Sequence, residues 1–234
     1  MAFKIVKAER KATPALIGLW GPSGSGKTYS ALRLARGLVG PKGKIGVIDT
    51  ENRRAEFYAN VAGGWDHLDL QPPFGPARYT EAFKSFEDAG GYGCIIVDSM
   101  SHVWEGEGGV LDIASANTST GLQKWNAPKT VYKRMVNGLL RAPFHVIFRL
   151  RAKEAVRQKG RGKDAEIESL GLAPICEKNF IYEMTCSVLL GPDHKPLFRE
   201  TERFRCSPDV PAVKAPDELW GTIKPNEYLS EETG

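Results

Sequence analysis

Hydrophobic positions follow two rhythms along the chain. Mostly apolar runs occur at Ala15–Trp20, Ile45–Ile48, Cys94–Val97 and His145–Phe148. Runs of this kind mark strands buried on both faces of a parallel sheet. Between them the spacing becomes helical. Leu32, Leu34, Ala35 and Leu38 predict a helix over Lys27–Leu38, stopped by Gly37, Gly40 and Pro41. Pro76 suits the first position of a helix that runs to Ala89. Lys129–Leu140 predicts a further helix, and His67–Leu70 a short strand. Glu183–Leu190 and Pro196–Phe198 flank Gly-Pro-Asp-His and predict a hairpin. Two stretches lack a clear period. Met100–Gln123, rich in Gly, Ser and Thr, is expected to be irregular, and 149–179 to be a long, charged, partly mobile loop with one short helix. The residues after about 208 carry three prolines and read as a surface tail.

Strands alternating with helices predict an α/β fold: a mostly parallel central sheet flanked by helices, with a C-terminal antiparallel hairpin at one edge. The expected division is an N-terminal extension (1–14), a core (15–208) and a tail (209–234). A chain of 234 residues suits one such domain. No apolar run approaches the roughly 18 residues of a membrane helix, and Met1–Pro14 lacks the apolar centre of a signal peptide. The expectation is a cytoplasmic protein without a membrane partner. Cys94, Cys176, Cys186 and Cys206 form no CxxC pair and no zinc spacing, so free thiols are expected. A net charge of +4 permits a nucleic-acid partner without arguing for one.

The chemistry is concentrated in Gly21-Pro22-Ser23-Gly24-Ser25-Gly26-Lys27-Thr28, which fits GxxxxGK[ST] between a predicted strand and a predicted helix. The glycines let the backbone curl so that N–H groups point at phosphate oxygens, and the helix N-terminus adds partial positive charge. Lys27 is expected to reach the β- and γ-phosphates, and Thr28 to ligate Mg²⁺. Gly21 through Tyr29 are the expected nucleotide contacts. No NKxD-like stretch follows, which makes ATP the expected nucleotide.

A hydrolase also needs carboxylates. Asp98 ends the Cys94–Val97 run, where a carboxylate holds Mg²⁺ through water. The next residue is Ser99, not Glu, so a water-activating base must come from elsewhere. Glu51, at the end of the Ile45–Ile48 strand, is preferred over Glu105 and Glu107 in the Gly-rich segment, because a strand end holds a base more rigidly than a loop.

The segments Ile48-Asp49-Thr50-Glu51, Ile96-Val97-Asp98-Ser99 and Val146-Ile147-Phe148, following a phosphate loop, resemble the RecA-type P-loop NTPase core over roughly 15–200. That resemblance implies that Glu51 polarises the attacking water and Asp98 serves Mg²⁺. Asp98-Ser99-Met100-Ser101-His102, Trp104-Glu105-Gly106-Glu107-Gly108-Gly109 and Gly171-Leu172-Ala173-Pro174 resemble phage-encoded RecA-core ATPases, a group that includes single-strand annealing recombinases. For a phage-encoded chain the compartment would be the host cytoplasm. RecA carries a γ-phosphate-sensing Gln after its last core strand. Here the region reads Arg149-Leu150-Arg151, and Arg151 falls on that sensor by position. The resemblance further implies a homo-oligomer in which a neighbour's cation completes the site, with Lys178, Arg199, Arg203 and Arg205 as candidates.

Residues 149–163 hold Arg149, Arg151, Lys153, Arg157, Lys159, Arg161 and Lys163 against Glu154 alone. This segment occupies the place of the DNA-binding loop in RecA-like proteins, which makes Lys153, Arg157, Lys159, Arg161 and Lys163 candidates for single-stranded DNA contacts through phosphate neutralisation. Phe180, Tyr182 and Trp125 are candidate rings for base stacking. The leading expectation is a DNA-stimulated ATPase of recombination or annealing. The alternatives are a P-loop kinase of a small molecule or nucleoside and a non-hydrolysing nucleotide-gated scaffold.

Overall fold

A computed structural model of the protein describes residues 5–9, 13–159 and 166–197. Its strands are β1 (Leu16–Gly21), β2 (Lys44–Asp49), β3 (Asp66–Asp69), β4 (Tyr92–Asp98), β5 (His145–Lys159), β6 (Glu166–Pro174), β7 (Cys186–Leu190) and β8 (Pro196–Leu197). The helices are α1 (Lys27–Val39), α2 (Pro76–Ala89), α3 (Ser101–Glu105), α4 (Val110–Ala116) and α5 (Asn126–Leu139). The sheet order is β3-β2-β4-β5-β1-β7-β8, with β6 paired to β5. All pairings are parallel except β8 on β7 and β6 on β5.

Each inner strand buries both faces, as its unbroken apolar run requires. Cys94 and Ile96 of β4 join Ala31, Leu32, Leu34 and Ala35 of α1 on one side of the sheet. Ile95 and Val97 face Tyr79, Phe83 and Phe86 of α2 and Tyr132 and Met135 of α5 on the other. Strand alternation therefore divides one sequence run between two cores. The parallel strands all end on the same edge of the sheet. Gly21, Asp49, Asp98 and Arg149 meet there, because Asp98 is in register with both Asp49 and Arg149.

Three expectations need correction. Within the expected loop 149–179, the described stretches 149–159 and 166–174 are strand. β5 runs 15 residues and continues past the sheet, where β6 folds back on it as an antiparallel arm. Met100–Gln123 is not irregular throughout, since it forms α3 and α4. The terminal hairpin exists, but its first strand is not an antiparallel addition: β7 begins at Cys186 and lies parallel beside β1. Cys94, Cys176 and Cys186 are free thiols, while Cys206 and the expected tail lie outside the described residues. Among the described residues no helix is long and apolar enough to cross a membrane.

Candidate nucleotide-binding site

The phosphate loop leaves β1 at Gly21 and enters α1 at Lys27. Gly21 has no room for a side chain, since a Cβ there would lie 2.3 Å from the Leu190 carbonyl oxygen. Gly24 and Gly26 take φ of 78° and 77°, a region that glycine enters without steric cost. Gly26 also begins α1 without any side-chain cap, and the first turn carries no acid. The opening N–H groups of α1 are thus presented to an anion rather than satisfied by the chain's own carboxylates.

Lys27 is buried. Its Nζ donates to the Pro22 carbonyl and lies 3.3 Å from Ser25 Oγ. Burial and the nearby Arg149 guanidinium lower its pKa to about 8, against the opposing pull of Asp98 and Glu51. Thr28 Oγ1 donates to Asp98 Oδ2 at 2.7 Å, which joins the two expected Mg²⁺-serving residues directly. Burial raises the Asp98 carboxyl above the ordinary range, opposed by Arg149 and the Thr28 hydrogen bond. A hard-oxygen pair of this kind suits Mg²⁺, which keeps several waters and takes few protein ligands.

Glu51 is 6% exposed and converges on the same point. Arg151 binds it through both oxygens, at 3.0 and 2.9 Å, and Arg149 Nη1 lies 3.2 Å from Oε1. Burial alone would raise the Glu51 carboxyl. The Arg151 hydrogen bonds and the two guanidinium charges outweigh it and hold the group below the ordinary range. Asp49 sets the turn that presents Glu51, by accepting the N–H groups of Glu51 at 2.7 Å and Ala55 at 3.0 Å. Thr50 Oγ1 accepts the Ser99 N–H at 2.7 Å and ties the end of β2 to the end of β4. His102 packs behind, 2.8 Å from Thr50 Oγ1 and stacked on Phe74.

Arg149 is the residue that sequence reasoning missed. It is in ion contact with Asp98 through Nε, and the same nitrogen lies 3.3 Å from Thr28 Oγ1. The predicted sensor, Arg151, is instead in register with Gly21 and half exposed over Glu51. The two arginines divide between them the position assigned to one. Asp49 and His102 were also missed as supports. Glu105 is half-buried, with its charge felt at Arg151, and Glu107 is exposed. Tyr29 is half-buried, its ring 6.5 Å from that of Tyr58.

Residues 13–179 match a protein-family model described as an AAA domain. The chain belongs to the AAA domain family. The match spans the phosphate loop, Glu51, Asp98, Arg149 and Arg151, so the site just described is that of a P-loop ATPase. A KaiC-like protein from the hyperthermophilic archaeon Pyrococcus horikoshii OT3 is similar at 13% identity over 70% of this chain and 80% of its own, with a TM-score of 0.37. No curated protein sequence matches the chain.

The expected DNA contacts are spread along the arm. Lys153, Arg157 and Lys159 are exposed on β5, while Arg161 and Lys163 lie outside the described residues, as do Arg199, Arg203 and Arg205. Arg157 faces Glu168 across the arm, and Lys159 faces Glu166. Phe180 is not available for stacking, because it is buried against Phe148 and Tyr132. Trp125 is half-buried on Trp104, whereas Tyr182 is 55% exposed. Lys178, a candidate interface cation, is exposed.

Proposed function

We propose that this AAA-family ATPase hydrolyses ATP with Glu51 as the water-orienting base and couples turnover to single-stranded DNA, in recombination or annealing of the phage type. The observation that carries the catalytic part is the convergence of Lys27, Thr28, Asp98 and Glu51 on one edge of the sheet, bridged by Arg149 and Arg151. Lys27 holds the β- and γ-phosphates, and the N–H groups from Gly24 to Thr28 cradle them. Mg²⁺ held by Thr28 and, through water, by Asp98 would neutralise charge on the transferring group.

Arg149 and Arg151 give the site its two conditions. Without nucleotide they occupy Glu51, and a carboxylate so paired is a weak base. A γ-phosphate competes for the same guanidinium groups, which bind phosphate and carboxylate in similar bidentate fashion. As the arginines turn toward it, Glu51 regains a free oxygen for water. Arg151 also heads the arm, and its carbonyl accepts the Ile175 N–H at 2.8 Å. A movement of Arg151 therefore reaches the arm's base, where Lys153 begins the proposed DNA contacts.

The test separates the carboxylates. A base that orients water contributes to hydrolysis but little to ground-state binding, so Glu51→Gln is expected to keep ATP affinity and lose on the order of 10²-fold or more in turnover. Glu105→Gln is expected to do far less. Parent-like turnover in Glu51→Gln, with Glu105→Gln inactive, would reverse the assignment.

A further inference from the structure

Between Asp112 and Glu154 the chain has eight basic residues and no acidic one. Much of this run is α5 and its exit. The helix buries Pro128, Tyr132, Met135, Val136 and Leu139 against the core. Its opposite face presents Thr130, Lys133, Arg134, Asn137 and Gly138, and Arg141 follows in the turn after it; all six are exposed and line a surface groove of about 520 Å³. The eleven steps from Thr130 to Arg141, at about 1.5 Å each, make this a stripe of roughly 16 Å. No ion pair forms on Lys133, Arg134 or Arg141 among the described residues, in contrast to Lys129 nearby, which reaches Glu177 at 4.0 Å.

The lining identifies the kind of partner. Three cations along this stripe, none in an ion pair among the described residues, alternate with two neutral hydrogen-bonding side chains and a glycine. A Cβ at Gly138 would meet nothing within 4 Å, so the helix backbone is open to close approach there. The groove holds no apolar or aromatic side chain, whereas the core of a protein–protein interface is depleted of charge and rich in such groups. Cations with neutral donors and no apolar anchor suit a run of phosphates. The arm is less suited on its own, since two of its cations face carboxylates across the strand pair.

We infer that the solvent face of α5 and the turn that follows it, through Lys133, Arg134 and Arg141, is a binding surface for the phosphodiester backbone of nucleic acid. This rests on the reading that the chain works on nucleic acid, but it assigns the contact to residues that no part of that reading used. Bases are not read here. The surface is sequence-tolerant and salt-sensitive, and it lies on a different element from the nucleotide site.

The test is fluorescence anisotropy of a labelled oligothymidylate, and of a duplex of equal length, titrated with full-length protein over a range of salt. The variant Lys133→Ala/Arg134→Ala/Arg141→Ala changes exposed positions only. It is compared with Lys7→Ala/Lys42→Ala/Lys84→Ala, which removes equal charge elsewhere. The first variant is expected to flatten the log affinity against log salt slope on the single strand by about 2, at roughly 0.7 per lost contact. The control is expected to keep the parent slope, and basal ATP turnover is expected to be unchanged in both. Lysine at positions 134 and 141, in Arg134→Lys/Arg141→Lys, is expected to restore the slope. A parent that binds with a slope the α5 variant does not alter would remove α5 from the site and leave the single-strand reading standing. A parent that binds neither oligonucleotide would overturn both. Slope loss on the duplex alone would keep the phosphate surface and overturn the single-strand reading. No binding by the parent, together with a changed oligomeric state in the α5 variant, would make the stripe a contact between protein subunits instead.

Discussion

Lys27 on the phosphate loop and Arg149 at the end of the inner part of β5 bring two cations to the same carboxylates, Asp98 and Glu51. Lys27 was legible because its motif is contiguous, and the chemistry of a phosphate loop fixes its spacing. Arg149 was not, because its role depends on β4 and β5 aligning Asp98 with Arg149, a register that no local pattern states. The two residues also make separable predictions. Lys27 has a pKa of about 8 without nucleotide, and a bound polyphosphate raises it. Above pH 8 binding must then take up a proton. ATP affinity is expected to fall with pH above about 8, by at most tenfold per unit, in isothermal titrations. Lys27→Ala is expected to bind weakly, to lose turnover and to lack this pH dependence. A folded Lys27→Ala variant with parent turnover would refute the loop assignment. Arg149 compensates a nearly buried carboxylate, and removing one partner of such a pair costs about 3–5 kcal/mol. Urea unfolding of Arg149→Ala without nucleotide is expected to show a loss of that order. Arg151→Ala, with its side chain 43% exposed, is expected to lose about 1 kcal/mol or less. Equal stability of Arg149→Ala and the parent would contradict the bridge to Asp98.

Among the elements, the arm departs furthest from the sequence reading. The inner strands and α2 were legible because burial writes its period into the residues. β5 beyond Arg151 is mostly exposed, so its positions need not alternate and they imitate a charged loop. Only pairing with β6 makes it a strand, and pairing is a non-local property. α3 and α4 were hidden for a related reason, being short helices separated by Gly106, Gly108 and Gly109, which read as breakers. If the arm contacts single-stranded DNA, neutralising Arg157, Lys159, Arg161 and Lys163 together is expected to flatten the salt dependence by roughly 0.7 per lost contact. ATP binding is expected to persist in that variant, and DNA stimulation to vanish. An unchanged slope would exclude the arm from the DNA site, independently of the result for α5.

For the whole molecule, one sheet edge gathers the phosphate loop, both carboxylates and both arginines, and β5 leads from that edge into the arm. The connection is covalent and short, from Arg149 at Asp98, through Arg151 at Glu51, to Lys153 two residues on. This continuity is the physical ground for the proposal that hydrolysis is coupled to nucleic acid rather than to a small acceptor. Subunit assembly belongs to the same scale, since a neighbour's cation is proposed to complete the site, with exposed Lys178 one candidate. The most direct measurement is phosphate release from ATP and Mg²⁺ by the full-length protein, with and without single-stranded DNA. Slow basal release that single strands accelerate is expected, with loss of both in Glu51→Gln. Release indifferent to DNA, with the phosphoryl group passing instead to a metabolite, would contradict the coupling of hydrolysis to single-stranded DNA.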